Sequence, residues 1–78
     1  MMENSLERIR INPEICHGKP VIRDTRYTVE SMLEYLAGGD TIEDIISEFG
    51  DIDREDLLAC LAYAVQSMRL KDIIIPAA

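Results

Sequence analysis

Cys16 and His17 stand side by side in a chain with one other cysteine, Cys60, and no other histidine; a thiol beside an imidazole is the raw material of nucleophilic or metal chemistry. The pattern goes no further. Adjacent side chains seldom bind one ion together, and no second Cys-His cluster completes a four-ligand set. A Cys-His nucleophile also needs a third, orienting group. Cys16 and His17 therefore read as turn residues, and Cys60, inside the apolar run Leu57 to Val65, reads as core packing. Gly18-Lys19-Pro20 has one glycine before a lysine but neither the spacing nor the following helix of a phosphate loop, which leaves Lys19 as a surface cation. The 15 carboxylates fall on helical faces and in first turns, without the convergence a divalent cation needs. The expectation is a protein without catalytic residues, metal, cofactor or small-molecule substrate.

Seventy-eight residues are enough for one domain whose thin core buries roughly 60 to 65 % of the unfolded surface, a size at which a partner or a second copy often completes the burial. Hydrophobic residues at 47 % and charged residues at 29 % exclude a disordered chain. Met1 to Ser5 lacks a basic n-region followed by an apolar stretch, and no run reaches a membrane span, so a cytoplasmic location without membrane association is expected. Two cysteines without a CxxC pair are expected to be free thiols.

The net charge of −7 is unevenly distributed. Residues 1–26 carry Arg8, Arg10, Lys19, Arg23 and Arg26 against four acids, a balance of +1, whereas residues 27–78 carry Arg54, Arg69 and Lys71 against eleven acids, a balance of −8. A phosphate backbone repels the second part, so any nucleic-acid contact belongs to the first.

These side chains must be positioned by short elements. Around Arg8-Ile9-Arg10-Ile11 the residues alternate, so the isoleucines are expected to face a core and both arginines the other side of a half-buried strand that Asn12-Pro13 ends. Val21-Ile22 is a second short strand, giving a β-ribbon over residues 5–26. Thr28 caps a helix with Val29, Met32, Leu33 and Leu36 on one stripe, ended by Gly38-Gly39. Thr41 and Asp44 form a capping box for a helix carrying Ile42, Ile45, Ile46 and Phe49. Asp53 caps a longer third helix with Glu55 and Asp56 in its first turn, where carboxylates favour the helix dipole. The Leu57–Val65 run has almost no polar face, so that helix is expected at the centre of the fold or in an oligomer seam. Residues 27–70 form the helical body, and residues 71–78, with Ile73 to Ile75, an apolar tail. The fold class is mainly α: a short N-terminal β-ribbon and a three- to four-helix bundle, all one domain.

Gly50-Asp51-Ile52 between the second and third helices has the spacing of a helix-turn-helix. Its recognition tip would be Asp53-Arg54-Glu55-Asp56, three acids to one base, which is unsuited to reading bases. A helical hairpin serving only as scaffold is an equal reading. Arg8 and Arg10, joined by Lys19, Arg23 and Arg26, make a better basic surface; the plainer account is a solubilising edge strand.

The stretch Ile11 to Arg26, above all Cys16, Gly18-Lys19-Pro20, Ile22-Arg23 and Thr25-Arg26, followed by Asp53 to Leu57 and Ala62-Tyr63-Ala64, resembles the family called domain of unknown function 433. The family writes the core of this motif CGGKP-x-IRGTR; here His17 and Asp24 replace glycines, at a conformational cost if either position takes φ > 0. The resemblance implies a homeodomain-like helix-turn-helix domain and similarity to VapB-like antitoxins of bacterial toxin-antitoxin modules. Such antitoxins dimerise, bind their own promoter DNA and block a PIN-like ribonuclease toxin. On this expectation Arg8, Arg10, Lys19, Arg23 and Arg26 meet phosphate, with Arg54 at the helix tip, while the acidic helices, joined by the Ile73 to Ile75 tail, meet the toxin. The alternative is a dimeric interaction or scaffold module that binds no nucleic acid, and a third reading is an enzyme using Cys16 and His17.

Overall fold

The structure is a computed structural model that describes residues 6–71. The tail with Ile73 to Ile75 lies outside them. Strands β1 (Ile9–Arg10) and β2 (Val21–Ile22) pair antiparallel, with Ile9 opposite Ile22 and Arg10 opposite Val21. Helices α1 (Val29–Ala37), α2 (Ile42–Glu48) and α3 (Arg54–Lys71) follow. The described residues are thus mainly helical, with three α-helices behind a two-stranded ribbon.

The helix signals act where their chemistry places them. The Thr28 hydroxyl accepts from the Ser31 N–H at 3.1 Å, and Gly38 closes α1. Thr41 and Asp44 exchange hydrogen bonds of 3.0 Å each, a reciprocal capping box that satisfies two orphan donors of α2. A short turn before β2 is less ordinary. Asn12 accepts the Glu14 N–H on its side chain and the Ile15 N–H on its carbonyl, both at 2.9 Å. The next three residues, Cys16 (φ 51°), His17 (φ 58°) and Gly18 (φ 81°), then form one left-handed turn. Gly18 needs no side chain there; His17, standing where the resemblance expects glycine, takes a conformation that costs a residue with a Cβ about 1–2 kcal/mol. His17 is exposed, so no packing offsets that strain. Replacing it by glycine should stabilise the protein by about 1 kcal/mol in urea denaturation, whereas Asp24→Gly, at a position without positive φ, should not stabilise it.

The core is Ile22, Val29, Met32, Ile45, Ile52, Leu57 and Cys60, where the ribbon meets all three helices. Ile22 and Leu57 are wholly buried, and each such side chain contributes about 1.5–3 kcal/mol. The Phe49 ring sits 5.1 Å from Tyr27 and 5.5 Å from Tyr35, closing the core at the end of α2.

Two expectations are corrected. Ile11 does not face the core: the ladder stops at Arg10, and Ile11 is 61 % exposed on the way to Pro13. Nor is α3 wrapped on every side. It packs on α1, α2 and β1 through Leu57, Ala59, Cys60 and Ala62, while Leu61, Val65 and Met68 remain exposed.

Candidate functional site

The first turn of α3 and the ribbon meet at one carboxylate. Asp56 has no exposed surface, and its two oxygens accept four hydrogen bonds. Oδ1 takes Arg23 Nε at 2.9 Å and Arg8 Nη1 at 3.0 Å; Oδ2 takes Arg23 Nη2 at 2.6 Å and the Asp53 backbone N–H at 3.1 Å. Asp53 returns the favour: its Oδ1 accepts the Asp56 N–H at 2.9 Å and Arg8 Nη1 at 3.0 Å. Arg23 also donates to the Asp51 carbonyl at 2.9 Å. Two arginines and two aspartates balance in charge, and every lone-pair direction of the buried carboxylate is used, which is the condition under which a buried ion is tolerated.

Burial alone would raise the Asp56 pKa. Hydrogen bonds from Arg23, the Asp53 N–H and Arg8 outweigh it and lower it from 3.8 to about 2. The same bonds raise Arg8 and Arg23. Asp56 is thus held charged together with Arg8 and Arg23, and the cluster is a fastener between ribbon and helix.

The motif residues assemble the approach to this fastener. The Thr25 hydroxyl donates to the Ile22 carbonyl at 2.6 Å and accepts the Tyr27 N–H at 3.1 Å, making the turn after β2. Arg23 stands in that turn at φ 44°, a strained angle for arginine, and from there its guanidinium reaches Asp56. The Pro20 carbonyl accepts the Val29 N–H at 2.9 Å, tying the ribbon to the start of α1. The Cys16 thiol points at the Arg26 carbonyl at 3.5 Å. Gly18 supplies the left-handed turn, and Lys19 pairs with Glu30 at 3.1 Å on the surface.

Of the six cations expected on phosphate, Arg8 and Arg23 are therefore committed to Asp56. Their side chains, 33 and 38 % exposed, reach from the ribbon to a carboxylate that is itself wholly buried, in place of lining a shared basic face with Arg10. Arg10 donates to the Glu7 carbonyl, and Arg54 pairs with Glu43 at 3.0 Å, with both side chains more than half exposed. Among the described residues Arg26 has no ion-pair partner. Lys19 and Arg54 lie in exposed pairs, which are worth little and exchange freely with solvent. The missed residue is Asp56. Its spacing of three from the Asp53 cap was a readable signal for a capping exchange, but nothing local announces arginines 33 and 48 residues away.

The thiols follow the plainer reading. Both are free, and burial together with Asp56 pushes Cys60 up to about 12, so it stays protonated and unreactive. Among the described residues no three His, Cys, Asp or Glu side chains converge on a metal position, and no helix is long and apolar enough to cross a membrane.

The family model for a protein of unknown function, DUF433, matches residues 9–64, which includes both the ribbon motif and the α3 turn that it fastens. The chain belongs to the DUF433 family. A DUF433 member protein from Anabaena variabilis, known from its crystal structure, has a TM-score of 0.75 and 29 % identity, covering 83 % of this chain and 64 % of its own. This chain thus spans less than two thirds of the length of that protein. No curated protein matches. In this DUF433 chain the motif builds scaffold: a left-handed turn, a threonine-braced corner and an arginine aimed at a buried aspartate.

Proposed function

We propose that the protein is a cytoplasmic, non-enzymatic antitoxin that acts as a homodimer and blocks a basic, PIN-like ribonuclease toxin through its acidic helices. One observation carries the reading. Glu30, Glu34, Asp40, Glu43, Asp44, Glu48, Asp51, Asp53 and Glu55 are all exposed on the helical body, and beyond the pairs of Glu30 with Lys19, Glu43 with Arg54 and Asp53 with Arg8, six of these nine carboxylates stand in no ion pair among the described residues. Such a surface attracts a protein whose active site is built to hold RNA phosphates, steering encounter and favouring that partner over acidic ones.

Beside the acids lies an apolar groove between α1 and α3, floored by Leu33, Ala37, Tyr63 and Ala64 with Glu30 and Glu34 on its lip. That combination of apolar floor and acidic rim suits a basic protein surface. Promoter binding takes a lesser part in this reading. Phosphate approaching α3 would meet the exposed Asp53 and Glu55 first, and of the six cations assigned to phosphate Arg10, Lys19, Arg26 and Arg54 are the four not bound to Asp56.

Full-length protein used as bait in extracts of its native host should capture a basic nuclease and abolish RNA cleavage by it. Any shift of its own promoter should have a salt dependence no steeper than about four phosphate contacts allow, a log–log slope near −4. Recovery of no nuclease, together with no promoter shift at low salt, would overturn the antitoxin reading and leave the scaffold module.

A further inference from the structure

Helix α3 carries a seam that its own fold leaves open. Leu58, Leu61, Val65 and Met68 follow at spacings of three, four and three, the a and d rhythm of a heptad. Leu58 is half-buried, and Leu61, Val65 and Met68 are 40, 39 and 62 % exposed. This row runs beside the face that Leu57 and Cys60 bury, so it is additional to the intramolecular core. Single exposed apolar residues need no explanation; a row at coiled-coil spacing does.

The charges around the row say what can cover it. From Leu57 to Met68 there is no charged residue, in a chain whose net charge is −7. A second copy approaching almost anywhere else on the helical body brings carboxylate to carboxylate; here it does not. Charges return at the ends of the helix. Glu55 and Arg69 are both exposed, lie two heptads apart on the flank marked midway by the small Ala62, and take part in no ion pair among the described residues. A parallel pairing would oppose Glu55 to Glu55 and Arg69 to Arg69. An antiparallel pairing opposes each Glu55 to an Arg69 and aligns the helix dipoles favourably.

We propose that a second copy of this chain packs antiparallel on α3, about a two-fold axis level with Tyr63. Leu61 of one copy meets Val65 of the other, Leu58 meets Met68, and a Glu55–Arg69 pair closes each end. The proposal rests on the dimeric part of the reading above and is independent of the toxin.

Sedimentation equilibrium of the full chain at micromolar concentration tests it. The expected result is a dimer that Val65→Glu weakens at least a hundredfold with unchanged helical circular dichroism, since Val65 lies on the surface. Glu55→Arg should weaken the dimer, and adding Arg69→Glu should restore it, because the swapped charges again oppose each other across the axis. A monomeric wild-type chain would overturn both the dimer and its seam. A dimer indifferent to Val65→Glu would leave the dimer standing and overturn the seam. If Val65→Glu disturbs the fold, the charge pair decides: a double variant as weak as Glu55→Arg alone overturns the antiparallel arrangement.

Discussion

Asp56→Ala is expected to destabilise the protein by about 3–5 kcal/mol, the cost typical of removing one partner from a buried ion cluster. The figure is large because one change takes away the counter-charge of Arg23 and leaves Arg8 with Asp53 alone, removes the half of the α3 cap that Asp56 gives to the Asp53 N–H, and leaves Arg23 strained at φ 44° with only the Asp51 carbonyl to hold its guanidinium. In a domain of this size that is a large share of the total, roughly 0.05–0.15 kcal/mol per residue. The arginines should rank below it. Arg23→Ala should cost more than Arg8→Ala, since Arg23 makes both side-chain bonds of a bidentate contact and Arg8 makes one to Asp56. Urea denaturation of the three variants measures the order. A loss below about 1 kcal/mol for Asp56→Ala would mean that the cluster is decoration.

The second large effect is a loss of stability in acid. The folded-state pKa of Asp56 is about 2 against 3.8 for an ordinary aspartate, so between these values the unfolded chain binds more protons than the folded one, and stability rises with pH. The contribution, about 2.5 kcal/mol, is complete above about pH 5 and is lost as pH falls through 4 and 3 toward 2. Asp44, lowered by the Thr41 backbone and hydroxyl, acts in the same direction at the surface. Denaturation midpoints from pH 2 to 7 should show this limb in the wild type and a much flatter one in Asp56→Ala. A wild type equally stable at pH 2.5 and pH 7 would contradict the assigned charge state.

What the sequence disclosed and what it concealed divide by distance along the chain. Caps, stripes and stop signals act within four residues, and so Thr28, the Thr41–Asp44 box, the Asp53 cap and the short Val21–Ile22 strand were all readable in place. His17 was readable as a strained position because glycine is what a left-handed turn favours. The ribbon face was not. Period-two alternation puts Arg8 and Arg10 on one side of a strand, but a two-residue strand imposes that alternation on almost nothing, and Ile11 and Arg8 went their own ways. The destination of Arg8 and Arg23 depended on a carboxylate brought in by the packing of α3, and an acid in a first helical turn looks the same in sequence whether it is solvated or sealed. The apolar excess of α3 did announce that this helix has more greasy surface than one small core can use; only the packed structure separated the part that is buried from the row that is open.

The Asp56 fastener joins residues 33 and 48 positions apart, and this fixes an order of events as well as a shape. A two-stranded ribbon has little stability by itself. While the chain is being made, the ribbon leaves the ribosome before the carboxylate that receives Arg8 and Arg23, and it must wait for the opening turn of α3. Of the two, the segment made earlier is therefore secured only when the later one arrives. Closing so long a loop is also the slow kind of contact. For a young chain, the interval before Asp56 emerges is the period in which the ribbon is open to other strands and to proteases.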